Sequence, residues 1–342
     1  MIAVRIHQHG GPEVLSLDEL VRPEGFEETE VLVEMKAAAL NHLDLWVRKG
    51  LPGISLPIIM GSDGAGIVAE VGSKVTEFKP GDEVVVQPGT FCGKCAACQA
   101  GQENLCAAYG ILGESQDGVQ ASQVVLKTDN LAKKPERLSF PEAASFGLVF
   151  LTAYQMLVKR AQLKAGETVL VVGGNSGVGA AAIQIAVGLG ARVIATAGEG
   201  EKTEFVRAMG AHEVVDHYQP EWYKEVLAAA GAERVQVVFE HVGTATWEQS
   251  VRTMGLGARL VFCGATTGSK AMIDLRHAFR KQLSFMGSTM GDRGTFQSVI
   301  EGFRSGIYRP IVDREFPIEE AAEAHCYLES GRHRGKVVLN FP

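Results

Sequence analysis

The spacing of apolar and polar residues changes at about residue 125. From residue 1 to about 125, short alternating segments such as VLVEMKAAAL, GAGIVAEVG and DEVVVQPG are separated by turn residues. Alternation with a period of two is typical of half-buried β-strands, and short strands spaced by turns predict an all-β barrel or sandwich. The segment MIAVRIHQHG lacks the basic and apolar regions of a secretory signal, so we interpret it as the first strand.

A different rhythm follows between about 126 and 285. The β-branched runs VLVVG, RVIATA, VQVVFE and RLVFCG begin at positions 169, 192, 235 and 259, with helix-like stretches between them. Strands that alternate with helices predict a parallel, doubly wound α/β sheet. From about 286 the chain adds a helix around SVIEGFRSG and a terminal strand, KVVLNF, which could complete either domain.

Length and composition limit the classes of function. A chain of 342 residues predicts about two domains. Its net charge is −7, and no run of lysine or arginine exceeds a dipeptide, which argues against a nucleic-acid partner. Polar residues interrupt the longest apolar stretch before the ~18 apolar residues that a membrane span needs. We therefore expect a cytoplasmic protein that acts on a small-molecule substrate and does not bind a membrane.

A glycine-rich turn in VLVVGGNSGVGAAAIQIAVGLGA predicts a dinucleotide site. The turn consists of Gly174, Asn175, Ser176, Gly177, Val178 and Gly179. Glycine lets the backbone approach a diphosphate, and the following helix start supplies free N–H groups and the positive end of a dipole. The middle glycine of G-x-G-x-x-G is replaced by Ser176, so the alternative is a tight strand-to-helix turn that binds nothing. The preceding strand, the long helix and the second strand RVIATA favour the dinucleotide.

The choice between NADP(H) and NAD(H) depends on the end of RVIATA. An NAD-preferring site normally ends this strand with an acid that binds the ribose 2′-hydroxyl. Here the strand ends in Ala197–Gly198, which favours NADP(H), whereas the following Glu199 and Glu201 leave NAD(H) open. The residues that could bind the adenosine phosphate are Lys202 and His217. Alternatively, both are solvated surface residues.

Four of the six cysteines are clustered. Cys92, Cys95, Cys98 and Cys106 lie within fifteen residues, whereas Cys263 and Cys326 are isolated. Four thiolates about 2.3 Å from one Zn²⁺ form a closed tetrahedral site, which would brace a loop rather than activate a substrate. The alternatives are an iron–sulfur cluster or two disulfides, and a reducing cytoplasm disfavours the disulfides.

Together these motifs resemble the medium-chain dehydrogenase/reductase superfamily, which includes zinc alcohol dehydrogenases and quinone oxidoreductases. The most specific motifs lie at 61–86 (GSDGAGIVAEVG and FKPGDEVVV), 92–106 and 169–179, and the resemblance spans essentially the whole chain. It implies a GroES-like β-barrel catalytic domain from residues 1–125 and 286–342. It also implies a Rossmann dinucleotide-binding domain at 126–285 and a homo-oligomer, either dimer or tetramer.

The resemblance also locates the catalytic metal ligands of zinc alcohol dehydrogenases. At the three aligned positions this chain has Asn41, Ser62 and Leu148. None of these is a good zinc donor, and no convergent set of three is evident among the neighbours His42, Asp44 and Asp63. We therefore expect one structural zinc and no catalytic zinc, with His42 bonded to structure or to a cofactor phosphate.

Loss of a catalytic zinc changes the expected chemistry. Zinc supplies several kcal/mol of Lewis-acid stabilisation to alcohol oxidation, whereas reduction of an electron-poor acceptor by a reduced nicotinamide needs less help. Zinc-lacking quinone oxidoreductases carry N-x-x-D-x-[aromatic]-x-R-x-G, which residues 41–50 reproduce. The resemblance thus implies an NAD(P)H-dependent reductase of a carbonyl, quinone or enone. A zinc alcohol dehydrogenase with nonstandard ligands and a non-enzymatic dinucleotide-binding protein remain the alternatives.

The reductase hypothesis assigns roles to individual residues. The nicotinamide would lie in the cleft between the domains, near Asn41 and Ser62, and by resemblance Thr152 and the turn Cys263–Gly264 would contact it. Asn41 would donate an amide N–H to a substrate oxygen, and Asp44 would orient neighbouring groups. Equally, these two side chains could only tie their loop together through bonds to the backbone. No residue is assigned as proton donor, and water could fill that role.

Overall fold

The structure, a computed structural model, describes residues 1–232 and 234–342 in two compact units. The first unit combines Met1–Leu148 with Gly291–Pro342, and the second is Val149–Met290. The strands are β1 Ile2–Ile6, β2 Leu15–Glu19, β3 Glu30–Ala39, β4 Ile58–Ile59, β5 Asp63–Val71, β6 Glu83–Val86, β7 Gly89–Thr90, β8 Gly110–Ile111, β9 Gln123–Lys127, β10 Leu131–Lys133, β11 Thr168–Val171, β12 Arg192–Ala197, β13 Glu213–Asp216, β14 Val235–Glu240, β15 Met254–Phe262, β16 Ser284–Gly287, β17 Val312–Pro317 and β18 Lys336–Asn340.

Helices of very different length separate these strands. The α-helices are α1 His42–Lys49, α2 Ala96–Gln99, α3 Phe140–Ala144, α4 Gly147–Tyr154, α5 Gly177–Gly188, α6 Glu201–Ala208, α7 Tyr223–Ala230, α8 Thr244–Thr253, α9 Leu275–Lys281, α10 Arg293–Ser305 and α11 Ala321–Glu329. A π-helical segment, Gln155–Arg160, follows α4. No helix among residues 1–232 and 234–342 has both the length and the apolar character needed to cross a bilayer.

The first unit is built on β-sheet, which confirms the all-β pattern of its N-terminal part. One sheet has the order β2-β1-β4, and the larger one has the order β10-β6-β5-β3-β18-β17 with β9 also paired to β3. The C-terminal strand β18 lies antiparallel to β3, so it is an interior strand of the larger sheet. Its side chains Val337 and Leu339 join an apolar core with Val33, Met35 and Phe316.

The second unit is a parallel sheet of order β13-β12-β11-β14-β15-β16. Counted from β11, this is the strand order 3-2-1-4-5-6 of the doubly wound dinucleotide-binding fold, as predicted. Helices cover both faces of such a sheet, so its central strands are buried on both sides and have nearly continuous apolar sequences. Accordingly, Val169, Leu170 and Val171 of β11 are fully buried.

The unit boundaries differ from those expected at 125/126 and 285/286, because residues 126–148 and 286–290 pack elsewhere. Strand β10 pairs antiparallel with β6, and α3 packs on β3 and β5, so this segment completes the first unit. Strand β16 pairs in parallel with β15, which extends the second unit to Met290. Three-residue strands such as β10 carry too little periodicity to be assigned from sequence.

Candidate functional site

Asn41 and Asp44 form the start of α1 in the first unit. Asn41 has an extended backbone, and its main-chain N–H donates to Asp44 Oδ2 at 2.7 Å. Both residues are buried. A carboxylate at the third helical position that accepts from the residue before the helix closes the first turn. Asp44 is therefore bonded to the backbone at the start of α1, and both sequence interpretations of its role stay predictions.

The side-chain amide of Asn41 belongs to a buried polar cluster, which we call the Lys336 cluster: Asn41, Asp44, Asp63 and Lys336. Asn41 Nδ2 donates to Asp63 Oδ2 at 3.0 Å, and Lys336 Nζ donates to Asn41 Oδ1. Lys336 Nζ also donates to Asp63 Oδ2 at 3.0 Å. Asp63 and Lys336 are 0% and 3% exposed, so this ion pair is inside the unit.

Sequence reasoning missed Lys336 and gave Asp63 no role. Both are charged residues at the first position of a strand whose following residues are apolar: Lys336 opens β18 and Asp63 opens β5. A charge in that position is the only sequence signal of the pair, and a solvated strand end gives the same signal. Their contact joins residues 273 positions apart in the chain.

The residues at the three positions aligned with catalytic zinc ligands make hydrogen bonds within the first unit. The amide of Asn41 is bonded within the Lys336 cluster, the Ser62 hydroxyl donates to the Leu112 carbonyl at 2.7 Å, and Leu148 supplies its main-chain N–H to Asp63 Oδ1 at 2.6 Å. The His42 ring is half-buried, with its centroid 5.9 Å from that of His333. Within the described part of the chain, none of these residues belongs to a group of three or more histidine, cysteine or acidic side chains that could share a metal.

The second half of the N-x-x-D-x-[aromatic]-x-R-x-G pattern anchors α1. Arg48 is fully buried, and its guanidinium donates to Glu329 at 2.7 Å and to the Gly10 carbonyl at 3.3 Å. It also contacts His325 Nδ1 at 3.3 Å. Burial, together with the Arg48 charge, lowers the pKa of His325 to about 3, so this imidazole is neutral. These contacts attach α1 to α11 and thereby fix the helix that begins at Asn41.

The pKa of Asp44 is raised to about 7 because the carboxyl is buried away from water. The Asn41 N–H and the Lys336 charge oppose this rise, whereas the neighbouring Asp63 charge adds to it. Desolvation disfavours the charged form of a carboxyl, and here it exceeds the effect of the nearby cation. The Lys336 cluster therefore holds a proton that is exchanged near neutral pH.

The four clustered cysteines converge in space, as their spacing predicted. Their sulfur atoms all lie within 4.8 Å of one another, with Cys95 to Cys98 and Cys92 to Cys106 both at 3.5 Å. Four sulfurs about 2.3 Å from a tetrahedral zinc would be about 3.8 Å apart, so the set fits this ion. Free cysteines, not disulfides, occupy all four positions.

An ion pair between Glu103 and Arg293 attaches the cysteine loop to the start of α10 in the first unit. Buried Glu103 accepts from the main-chain N–H of Arg293 at 3.2 Å and from its Nε at 3.0 Å, at the start of α10. Within the loop, the N–H groups of Lys94 and Cys95 lower the pKa of Cys92 to about 6, whereas burial raises the pKa of Cys98 to about 12. Thiolates are the form in which cysteine binds metal.

In the second unit, the glycine turn leads from β11 into the start of α5. Ser176 caps α5, with its Oγ accepting from Gly179 N at 3.0 Å. A Cβ on Gly179 would lie 2.2 Å from the Gly173 carbonyl oxygen, so only glycine fits there. Gly174 and Gly179 are buried, whereas Asn175, Ser176, Gly177 and Val178 are half-buried, so this lip can contact a ligand. The helix start behind it is suited to an anion.

Sequence reasoning also missed Glu240 and His241. They lie at the end of β14, next to the glycine turn. His241 Nε2 lies 3.3 Å from Ser176 Oγ, and burial lowers its pKa. The fully buried Glu240 carboxylate accepts from Val242 N, Thr246 Oγ1 and Ser250 Oγ, which orders the loop after β14. In the sequence, Glu240 is marked only as an acidic residue at the end of an apolar strand. As with Lys336 and Asp63, a solvated strand end would look the same.

Apart from His42 in the first unit, the other residues predicted to bind the cofactor lie in the second unit. Lys202 is half-buried in the first turn of α6, and His217 Nδ1 lies 3.0 Å from Thr196 Oγ1. Burial lowers the pKa of His217, so at neutral pH it offers a hydrogen bond rather than a positive charge. Thr152 Oγ1 lies 3.8 Å from Met290 Sδ.

The turn Cys263–Gly264 packs tightly after β15. A Cβ on Gly264 would lie 2.6 Å from the His241 carbonyl oxygen, so the loops after β14 and β15 approach each other closely. Burial and the Glu240 charge raise the pKa of Cys263 to about 12, so its thiol is protonated and is a poor nucleophile.

Comparison with known families matches both units. Residues 27–136 match the alcohol dehydrogenase GroES-like domain, and residues 177–305 match the zinc-binding dehydrogenase family. A quinone oxidoreductase of Rattus norvegicus is 30% identical over 99% of this chain and 97% of its own. A crotonyl-CoA carboxylase/reductase of Cereibacter sphaeroides is 31% identical over 97% of this chain and 85% of its own.

Among solved structures, that of an NAD-dependent alcohol dehydrogenase is 46% identical and covers 99% of both chains, with a TM-score of 0.96. The similar proteins thus include enzymes named for quinones, for a crotonyl thioester and for alcohols. Sequence and structural similarity therefore define the family without selecting among these substrates.

Replacement of Asp44 by asparagine tests the buried proton. A folded pKa of about 7 exceeds the unfolded value of about 3.9, so between these values the folded state binds the proton more tightly. The stabilisation is complete below pH 4 and is lost as pH rises through 7. Between pH 5 and 8 at fixed protein concentration, the wild type should lose about 2–3 kcal/mol of unfolding free energy relative to Asp44→Asn. A difference that stays constant over this range in denaturant titrations contradicts the raised pKa.

Proposed function

Because this chain belongs to the medium-chain dehydrogenase/reductase superfamily as an NAD(P)-dependent oxidoreductase, we propose that it reduces an electron-poor carbonyl, quinone or enone without a catalytic zinc. The observation that carries this proposal is the Lys336 cluster. A buried ammonium is bonded to Asn41, at a position where zinc alcohol dehydrogenases place a metal ligand. A divalent cation there would be repelled by that ammonium.

Asn41 has the group that such a reduction needs. A bound NAD(P)H would supply the hydride, and negative charge would then develop on the substrate oxygen. The Asn41 amide carries two N–H bonds, of which one is donated to Asp63. We assign the other to the substrate oxygen, where a fixed donor stabilises the developing charge.

For the nucleotide we propose NADP(H), with NAD(H) as the alternative. The lip Asn175–Val178 and the start of α5 would bind the diphosphate. Strand β12 ends in the buried Ala197 followed by Gly198, with no acid at its end, and Lys202 follows in the first turn of α6. The group that argues against NADP(H) is the acidic side chain of Glu199. Its carboxylate accepts from Gln219 at 3.4 Å.

A steady-state panel tests this function. With NADPH, we expect turnover of 2-cyclohexenone and 1,4-benzoquinone, with a lower KM for NADPH than for NADH. Oxidation of primary alcohols with NADP⁺ or NAD⁺ should be at least about a hundredfold slower, since the Lewis-acid contribution of several kcal/mol is missing. Inactivity towards every electron-poor acceptor would contradict the proposal.

The second candidate is interconversion of alcohols and aldehydes with NAD(H). The observation in its favour is the 46% identity to the solved NAD-dependent alcohol dehydrogenase. This function requires a metal held by donors outside the four-cysteine group. Alcohol oxidation that is faster than enone reduction in the same panel selects this candidate.

For the cysteine group we propose one structural Zn²⁺ per chain. The supporting observations are four sulfurs within 4.8 Å and the half-buried, braced loop that carries them. A four-thiolate site leaves no coordination position for substrate, so this zinc would stabilise the loop and take no part in the chemistry.

Metal analysis tests the zinc proposal. The purified wild type should contain one zinc per chain, and Cys98→Ser should lose this zinc and unfold at a lower temperature. The matched control is Cys326→Ser, which removes an exposed, isolated cysteine and should keep both zinc and stability. Iron, two zinc ions per chain, or an unchanged zinc content in Cys98→Ser contradicts the proposal.

We propose that the chain forms a homo-oligomer through the β16 edge of the second unit. Among the described residues strand β16 pairs with β15 alone, and its sequence SFMG has neither charge nor proline to protect the edge. Beside it in the chain, Met272, Leu275 and Phe279 are 91%, 74% and 67% exposed. A second copy that pairs edge to edge would cover the same surface on both chains, as a two-fold interface requires.

The mass in solution tests this interface. Light scattering at micromolar concentration should give a multiple of 36.6 kDa, and Phe279→Glu should lower it towards one chain. Ile307→Glu, which changes an exposed apolar residue of the first unit, should leave the mass unchanged. A monomeric wild type, or a Phe279→Glu variant with the wild-type mass, contradicts this interface.

A further inference from the structure

We propose that Lys336 is a positioning residue for reduction: it holds the Asn41 amide in one orientation, with an N–H available to the substrate oxygen, and increases the donor strength of that N–H. The inference rests on the proposed function. It assigns a role in the reaction to a residue of the C-terminal strand, which the sequence motifs did not indicate.

The orientation of the Asn41 amide follows from the charges beside it. Lys336 Nζ can only donate and the Asp63 carboxylate can only accept, so Asn41 must turn Oδ1 to the lysine and Nδ2 to the aspartate. A flipped amide would set donor against donor and acceptor against acceptor. Inside the unit, water cannot relieve either contact, so the flip costs the equivalent of two unmade hydrogen bonds.

The strand registers bring these groups together. Strand β18 is antiparallel to β3, with Val338 opposite Ala39, so Lys336 comes opposite Asn41 just beyond the end of β3. The bond from Leu40 N to the Val337 carbonyl, at 2.9 Å, holds this register. On the other side of β3, Asp63 is the register partner of Ala39. The cluster therefore depends on the pairing of three strands rather than on a flexible loop.

The lysine charge also acts through the amide. An ammonium bonded to Oδ1 withdraws electron density from the amide, which makes each Nδ2 hydrogen a stronger donor, as in other hydrogen-bond chains of low local dielectric. Asp63 Oδ1 is already occupied by Leu148 N at 2.6 Å. The carboxylate is thus well satisfied, and the amide lies between a fixed cation and a fixed anion.

Two variants of the pair separate positioning from simple charge balance. Lys336→Met leaves Asp63 as an unpaired buried charge, so it should lower both stability and kcat. The double variant Lys336→Met/Asp63→Asn removes both charges and should recover stability. Its Asn41 amide can then adopt either orientation, so kcat for 2-cyclohexenone should stay about tenfold to a hundredfold below wild type, with the Kd for NADPH unchanged.

The chain offers a matched control in Lys134. This lysine is also buried in the first unit, where it pairs with Glu83 at 3.0 Å. Lys134→Met should lower stability without changing kcat. Lys336→Arg, which keeps the charge, should retain more activity than Lys336→Met.

A measurement on the free enzyme is independent of activity. The chain has five asparagines, so selective ¹⁵N-asparagine labelling gives five side-chain amide pairs, and Asn41→Ser identifies the pair of interest. In the wild type, the Asn41 amide proton that is donated to Asp63 should exchange slowly with solvent, and the two protons of this amide should differ widely in chemical shift. In the double variant both features should be lost, whereas Lys134→Met should preserve them.

Several results would overturn the inference. They are a double variant that recovers kcat together with stability, a Lys336→Met variant with wild-type kcat, and Asn41 amide resonances that do not change when Lys336 is removed. If the wild type reduces no acceptor, the proposed function fails, and the resonances alone then decide whether Lys336 orients the amide.

Discussion

The buried ion pair between Lys336 and Asp63 is the interaction of the first unit on which this account depends. Removing two charges from water costs several kcal/mol for each ion, and the pair compensates only when its hydrogen bonds are complete. Here they are supplied by the Asn41 amide and the Leu148 main chain. The registers of β3, β5 and β18 and the start of α1 must therefore all be correct at once for the pair to be tolerated.

This constraint distinguishes the two zinc sites that the sequence brings into question, a catalytic one and a structural one. At the position aligned with a catalytic metal ligand, the cluster places a cation and an oriented amide, which we propose to bind a substrate oxygen rather than zinc. The four cysteines lie in a different loop and form a closed donor set, so the zinc that we propose would have only a structural role. The second unit carries the glycine turn that we propose for the nucleotide on its own parallel sheet, with Ser176 and Gly179 fixing the start of α5.

Much of this architecture was predictable because it depends on local patterns. Apolar runs such as RVIATA and VQVVFE correspond to β12 and β14. Strands that are buried on both faces have apolar residues almost throughout, rather than alternating apolar and polar residues. The cysteine spacing likewise predicted convergence. The Lys336 cluster was not predictable, because its partners are distant in the chain and a lysine at a strand start is usually solvated. The extension of the first unit to Leu148 was missed because β10 has only three residues.

The central claim is reduction by an oriented amide in place of a catalytic metal. The most direct test follows 2-cyclohexenone reduction with NADPH while the enzyme is dialysed against 1,10-phenanthroline and its metal content is measured. The account predicts that the initial rate stays constant as exchangeable metal is removed and one zinc per chain is retained. Loss of the rate in step with released metal, and its recovery on addition of Zn²⁺ or Co²⁺, would contradict the account.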